Sequence, residues 1–382
     1  MASVEVNRRI AKTILRRLHS ELRLVDPEAR ALAALLNTQF LAQMDQNELA
    51  RAARILEELG ELAQPPRGSW REMERAYHLL ELPENAARFQ TRFLAVRPSL
   101  ERLVEKHGLG VMAGEIRVAA KPSIALVPTR KTDPSSLQFS RLGGLPQLPA
   151  SLVWPTHQGR ALTFIAQIQL SELDGLESIP ECPRHGRLYF FCDVESVPPS
   201  GWEAEEASRW RVLFTADEAE PLSEAPAPPE LAPYELLHPL SILTHRAITI
   251  PAPRSIELSR LPEMDSDVWE QYMALMNDLS VGSPRHQLFG HPDAIQGCMQ
   301  RTAQFISSGL TLPDGVHSWY EHPRAAELMP GAHDWILLLQ VDSDENLSDH
   351  YWGDAGALYY WIKRDDLING RFANVWFFMQ CT

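Results

Sequence analysis

The chain has 382 residues, 45% hydrophobic and 23% charged, a balance that places it among globular proteins rather than disordered or fibrous ones. Its net charge of −14 is uneven: residues 1–112 hold 17 Lys/Arg against 15 Asp/Glu, and the remainder holds 19 against 35, or −16. Such a field repels nucleic acid and anionic lipid and attracts basic partners, while also serving as a solubilising surface.

No apolar run approaches the ~18 residues of a membrane span. The first residues mix Arg with Glu and lack an apolar stretch, so a secretory signal is not expected. Cys182, Cys192, Cys298 and Cys381 form no CxxC pair and fit free thiols in a reducing cytoplasm.

Residues 1–112 read as helices. Ile10, Ile14, Leu18 and Leu22 recur every fourth position. Asp26-Pro27 sets an N-cap before a proline at the first helical position, and Asp45…Glu48 and Ser69…Glu72 have capping-box spacing. Gly60 and Gly108 suit helix stops, and Pro65-Pro66, Pro83 and Pro98 separate the later helices. About six short helices follow, packed as antiparallel pairs in a small all-α domain. The first has a basic face of Arg8, Arg9, Lys12, Arg16, Arg17 and Arg23, which fits a solvated stripe better than a membrane-binding one.

After Gly114 strand-length runs take over. Val118–Val127 reads as a strand interrupted at Pro122. In Leu188–Cys192 both alternating faces are apolar, so this strand is expected to be covered on both sides, like Trp335–Val341, Ala357–Ile362 and Val375–Met379. The last three are expected to be neighbours in one sheet. Residues 217–233 are Pro-rich and acidic and read as an exposed loop. One helix interrupts the strands, with Asp267…Glu270 as its capping spacing and Val268, Trp269, Tyr272, Leu275, Met276 and Leu279 as its apolar stripe.

Within this region a pattern occurs twice. FIAQIQLSEL then GRLYFF runs from 164 to 191, and ILLLQVDSDE then GALYYW runs from 336 to 361. In each copy a Gln, Gln167 or Gln340, interrupts an apolar run, and a Gly, Gly186 or Gly356, opens an aromatic strand. Gly144-Leu-Pro146 and Gly290-His-Pro292 precede the copies as a weaker echo. The fold expected is α+β, with two related β-units in the larger domain.

The segment from Leu142-Gly143-Gly144-Leu145-Pro146 to Trp154-Pro155 resembles the opening of the YwqG-like family. FIAQIQLSEL, GRLYFF, HQLFGHPDAIQG (286–297), DWILLLQVDSD (334–344), WGDAGALYYWIKRDDL (352–367) and VWFFMQC (375–381) are similar to its later blocks, in order. The resemblance covers residues 115–382 and leaves the helical segment outside. It implies a β-rich domain of coiled, bifurcated sheets with internal pseudo-duplication. It implies bacterial, soluble proteins, some neighbouring secreted-toxin genes, and supplies no catalytic residues.

Gln167 and Gln340, each inside an apolar run, fit structural amide clamps, because a buried amide left unpaired costs about 1–3 kcal/mol. Asp342, Asp344, Asn346 and Ser348 alternate like the start of a calcium loop, but Leu347 and Gly353 stand where glycine and glutamate are needed, so an acidic turn fits better. His286, His291, His317, His322, His333 and His350 crowd into one stretch without metal-ligand spacing, and Cys182-Pro-Arg-His185 with Cys192 lacks a fourth ligand. No metal and no cofactor is expected. Trp352-Gly353-Asp354 reads as a locked turn. No nucleophile elbow, Walker loop or dinucleotide fingerprint is present.

The leading expectation is an acidic protein-binding module of the cytoplasm, of immunity type, that neutralises a basic toxin or partner. Against it stands an enzyme or small-ligand binder with a cleft between the β-units, lined by Trp352, Asp354, His291 and Asp293. A third reading gives the helical domain a dimerisation or docking role. The scaffold positions expected are Gly144, Pro146, Trp154, Gln167, Gln340, Gly353 and Gly356.

Overall fold

The computed structural model describes residues 99–129, 139–173, 176, 181–195, 198–253, 255–280, 284–310 and 322–382. The helices expected within residues 1–98, the basic face and His317 lie outside them. Its strands are β1 (Lys121–Thr129), β2 (Arg141–Leu142), β3 (Gln147–Pro149), β4 (Thr156–His157), β5 (Arg160–Ala161), β6 (Thr163–Gln169), β7 (Arg187–Cys192), β8 (Trp210–Thr215), β9 (Leu222–Glu224), β10 (Leu240–Thr249), β11 (His286–Leu288), β12 (Trp335–Asp342), β13 (Ala357–Lys363) and β14 (Trp376–Gln380). The helices are α1 (Leu100–Lys106), α2 (Ala113–Ala119), α3 (Ser266–Leu279), α4 (Met299–Ser307), α5 (Ala325–Leu328) and α6 (Arg364–Ile368). Helix and strand are therefore mixed.

Ten strands form one antiparallel sheet in the order β14-β13-β12-β11-β1-β10-β2-β6-β7-β8. The order reads alike from both ends, five strands on each side of the β1–β10 seam. At that seam Val127 pairs with Leu243, and two residues away Ala125 pairs with Gln287 as Ser241 pairs with Arg141. Both β6 and β12 carry an irregularity one turn of the pleat before their Gln, between Phe164 and Ala166 and between Leu337 and Leu339. Such bulges bend a strand and raise its twist. The sheet coils until it nearly closes: Trp210 of β8 stacks on Phe377 of β14 at 5.6 Å, and its Nε1 donates to Val375 O at 2.9 Å.

Inside the curl Phe190 and Phe377 meet the Tyr360 ring edge-on at 5.1 and 5.0 Å. Strand β7 separates two cores. Leu188, Phe190 and Cys192 face the main one, and Tyr189 and Phe191 face a second with Leu148, Leu162 and Phe164. A third cluster joins Leu103 and Val104 of α1 and Ile116 of α2 to Tyr272 and Leu275 of α3. Leu100, Leu103, Val104, Leu109 and Met112, at the end of the expected helical segment, thus share one core cluster with the α3 helix.

Three local expectations change. The strand expected over Val118–Val127 begins at Lys121, because α2 runs to Ala119. It passes through Pro122 unbroken; β11 pairs with β1 only from Ile124 onward, so the proline lies beyond that neighbour's reach. Helix α3 is capped by Asp265, whose carboxylate accepts from Val268 N at 2.9 Å, two residues before the expected cap. The acidic 217–233 stretch contributes β9, which pairs with β3.

Candidate functional site

The doubled pattern builds the same clamp twice. Gln167 Oε1 accepts from Gln147 N at 2.9 Å and its Nε2 donates to Phe139 O at 2.7 Å. Gln340 Oε1 accepts from Asp293 N at 2.9 Å and its Nε2 donates to Arg285 O at 3.2 Å. Each Gln faces a tyrosine across the ladder, Tyr189 or Tyr359, whose hydroxyl donates to the carbonyl of the same clamped residue, Gln147 at 2.9 Å or Asp293 at 2.6 Å. Segments 139–147 and 285–293 therefore correspond residue by residue in what the clamps hold. Arg141 donates to Leu145 O as Gln287 donates to His291 O. Ser140 Oγ accepts from Gln169 N, and His286 Nδ1 accepts from Asp342 N at 3.2 Å.

The turns themselves need left-handed backbone. Gly144 and Gly290 have φ of +75° and +77°, and a Cβ on either would crowd the seam, at Pro239 or Ser123. One position earlier, Gly143 has φ +61° and its counterpart Phe289 adopts φ +60°. Trp154 holds the next loop, with Nε1 donating to Leu162 O at 2.8 Å. Pro146 O accepts from Ala225 N, which follows β9.

The four cleft candidates fall in two places. His291 and Asp293 line a groove between α3 and strands β1, β10 and β11. Trp352 and Asp354 belong to the turn between β12 and β13. Trp352 is buried, its Nε1 donating to Asp342 O at 3.2 Å and its carbonyl accepting from Gly356 N at 2.9 Å. Asp354 is exposed, and its carbonyl accepts from Thr382 N and Oγ1. Gly353, at φ +61°, abuts Cys381. The structure does not bring the four around one cavity.

Beside His291 lies a charge cluster around the buried Glu257, in which Glu257 and Lys121 were not foreseen. Lys121 Nζ donates to Glu257 Oε1 at 2.6 Å, and Gln300 Nε2 donates to it at 3.2 Å. Burial alone would raise the Glu257 pKa, but Lys121, His291 and Gln300 outweigh it and bring the carboxyl to about 2. His291 Nε2 sits 2.7 Å from Ala119 O, which makes Nε2 the protonated nitrogen, and Nδ1 lies 3.9 Å from Glu257 Oε2 with no hydrogen-bond partner. Burial, reinforced by Lys121, pushes the imidazole from 6.5 down to about 4.

An acid-stability prediction follows. The folded state holds His291 neutral while the unfolded chain protonates it, so its contribution is complete above pH 6.5 and is lost as pH falls toward 4. The loss amounts to about 3 kcal/mol. Urea midpoints measured across that window should fall steadily for the native chain. They should stay flat for His291→Leu, which gives up the Ala119 bond at every pH; an equal slope in the variant would exclude His291 as the source.

The other chemistry-bearing residues are dispersed. Burial pushes the Cys182 thiol up to about 12 and holds Cys192 well above the ordinary thiol range. In the 342–348 stretch, Asp344 is buried and accepts from Asn346 N at 2.8 Å, while Leu347 is buried in the main core. His286 pairs with Asp344, His322 caps Arg324 N, and His350 meets the Tyr234 ring. Among the described residues no three His, Cys, Asp or Glu stand close enough to hold a metal ion, and no helix is long and apolar enough to cross a membrane.

Glu257 carried no sequence signal, since its partners come from 136 positions before and 43 after it. The clamp tyrosines did carry one: each stands three residues after the Gly that opens its strand.

No curated protein matches the chain. The family described as a domain of unknown function, DUF1963, matches residues 140–381, from the first clamp segment through the last strand. The chain belongs to this family, the YwqG-like family.

Proposed function

We propose that the chain is a binding module for a basic protein, acting by occupying its partner. The carrying observation is charge: residues 113–382 hold 35 Asp/Glu against 19 Lys/Arg. Exposed Glu203, Glu205, Asp217, Glu224, Glu230, Glu345, Asp349 and Asp354 put part of that excess at the surface. Charge of this kind steers a basic partner and gives salt-dependent affinity. The family resemblance makes a secreted toxin the partner to look for, with this chain as its immunity protein in the cytoplasm.

The finer architecture is part of the same reading. The β-rich domain is a pseudo-duplicated pair of coiled, bifurcated units, which the matched clamps support. Residues 1–112 supply a small all-α domain for docking or dimerisation. Removing residues 1–98 and measuring solution mass tests the latter, since α1 and α2 are left in place; an unchanged mass argues against dimerisation.

The direct test is capture from native extract on an N-terminally tagged chain, with elution by rising salt and rebinding of the purified product. A single basic protein that rebinds and weakens with salt is expected. If no basic protein rebinds at any salt, the reading fails. The competing cleft reading draws no support from geometry, because Trp352 and Asp354 lie apart from His291 and Asp293.

A further inference from the structure

Only two Tyr, Trp or Phe side chains among the described residues stand exposed, Tyr234 at 46% and Tyr351 at 57%. They belong to loops far apart in sequence that meet in the fold. The Tyr234 ring meets the His350 ring edge-on at 5.9 Å, and its hydroxyl donates to Glu195 O at 2.8 Å. Close by, His238 N donates to Leu347 O at 2.7 Å. Glu195, segment 230–238 and segment 345–351 therefore share one surface, at the Leu240 end of β10.

That surface is acidic. Glu195, Glu230, Glu235, Glu345 and Asp349 stand against a single guanidinium, Arg160, five carboxylates against one cation, or −4. Arg160 pairs with Glu235 and Glu195. The exposed Glu345 and Asp349 carboxylates have no ion-pair partner among the described residues. Under the same loop Glu235 is wholly buried; its Oε2 accepts from Ala232 N at 2.8 Å and from Arg160, and its Oε1 has no hydrogen-bond partner. A buried acceptor short of a donor adds to the local demand for positive charge.

We infer that this surface receives an arginine side chain of the basic partner, its guanidinium stacked on the Tyr351 ring and paired with the Asp349 carboxylate. A guanidinium plane stacks on an aromatic face while its edge donates to a carboxylate, so an open tyrosine beside uncompensated acids is its complement. Tyrosine also offers contact area at low conformational-entropy cost. Tyr234 is pinned through its hydroxyl to Glu195 O, so part of the surface is ordered before binding. The local excess of carboxylates supplies the charge complementarity. The inference rests on the basic-partner reading and adds its site.

The test uses the full chain and a fluorescein-labelled hexa-arginine peptide, followed by anisotropy at low salt. Tyr351→Ser and Asp349→Asn should each weaken binding about threefold and together about tenfold, while Tyr351→Phe, which keeps the ring, should stay within about 1.5-fold of the native chain. Glu270→Gln is the control. Glu270 is exposed on α3, which packs with Ile250 beyond the far end of β10, and its loss should change binding less than about 1.5-fold. Thermal melts confirm that each variant is folded. If the native chain binds and the double variant binds equally well, the surface is overturned and the basic-partner reading stands. Loss in Asp349→Asn without loss in Tyr351→Ser also overturns the surface, as does an equal loss in Glu270→Gln, because the attraction is then diffuse charge. If the native chain fails to bind the peptide at low salt, the basic-partner reading falls and the surface with it.

Discussion

Alanine at Gly201 is expected to destabilise the domain by about 4 kcal/mol, read from the urea midpoint of the full chain. Gly201 lies in the segment before β8, where the two ends of the sheet meet. Its carbonyl accepts from Trp376 Nε1 at 2.9 Å, and the neighbouring Ser200 O accepts from Met379 N at 3.3 Å. Its backbone is left-handed, with φ +77°, and an added Cβ would collide with the Phe377 carbonyl oxygen. That obstacle is strand backbone, not the end of a flexible side chain, so something in the closure must move. The loop cannot easily yield either, because the Glu206 carboxylate accepts from Ser200 N, Ser200 Oγ and Gly201 N.

The expected cost combines left-handed strain with overpacking, each about 1–3 kcal/mol. Gly309 separates the two effects. It also has positive φ, at +74°, but a Cβ there meets nothing within 4 Å. Gly309→Ala should therefore cost only about 1 kcal/mol. If Gly201→Ala costs no more than Gly309→Ala, the sheet ends do not meet as tightly at this point as the structure has them.

Gln340→Leu should cost a comparable amount, about 4 kcal/mol, because it leaves Asp293 N and Arg285 O without partners and each orphaned group costs about 1–3 kcal/mol. Gln167→Leu removes the equivalent pair, Gln147 N and Phe139 O, and should behave alike. Tyr359→Phe removes a single donor to Asp293 O and should cost less, about 1–2 kcal/mol. Calorimetric melts of the three variants decide the matter. Neutral leucine variants would mean that water replaces the amide, and a large difference between Gln167 and Gln340 would mean that the halves do not share the load.

Much of the β architecture was legible in the sequence because it rests on local, repeated pattern. A Gln inside an apolar run, a Gly opening an aromatic strand and a Gly-x-Pro turn upstream recur in one order, and identical local patterns build identical local geometry. Two-faced apolar strands such as Leu188–Cys192 announced burial on both sides, since alternation assigns residues to faces without knowledge of neighbours. The α3 stripe was legible for the same reason, although its cap at Asp265 was not: several acids near a helix start have acceptable spacing, and backbone direction selects among them.

The candidate site was only half legible. His291 and Asp293 sit close in sequence and in one turn, so their proximity was local information. Their separation from Trp352 and Asp354 was decided by the layering of the sheet: Trp352 is buried in the main core, while His291 bonds Ala119 O at the end of α2. Arg285 and Glu257 drew no attention in the sequence, because their partners are set by how strands and helices are layered.

The sequence by itself thus determined the family, the doubled β-unit and the acidic balance, which reside in residue order and residue type. Only the tertiary structure decided that the sheet nearly closes on Trp210 and Phe377, that His291 is neutral above Glu257, and that Tyr234 meets His350 across two distant loops. Those outcomes depend on distances between residues remote in the chain, and a one-dimensional pattern does not carry such distances.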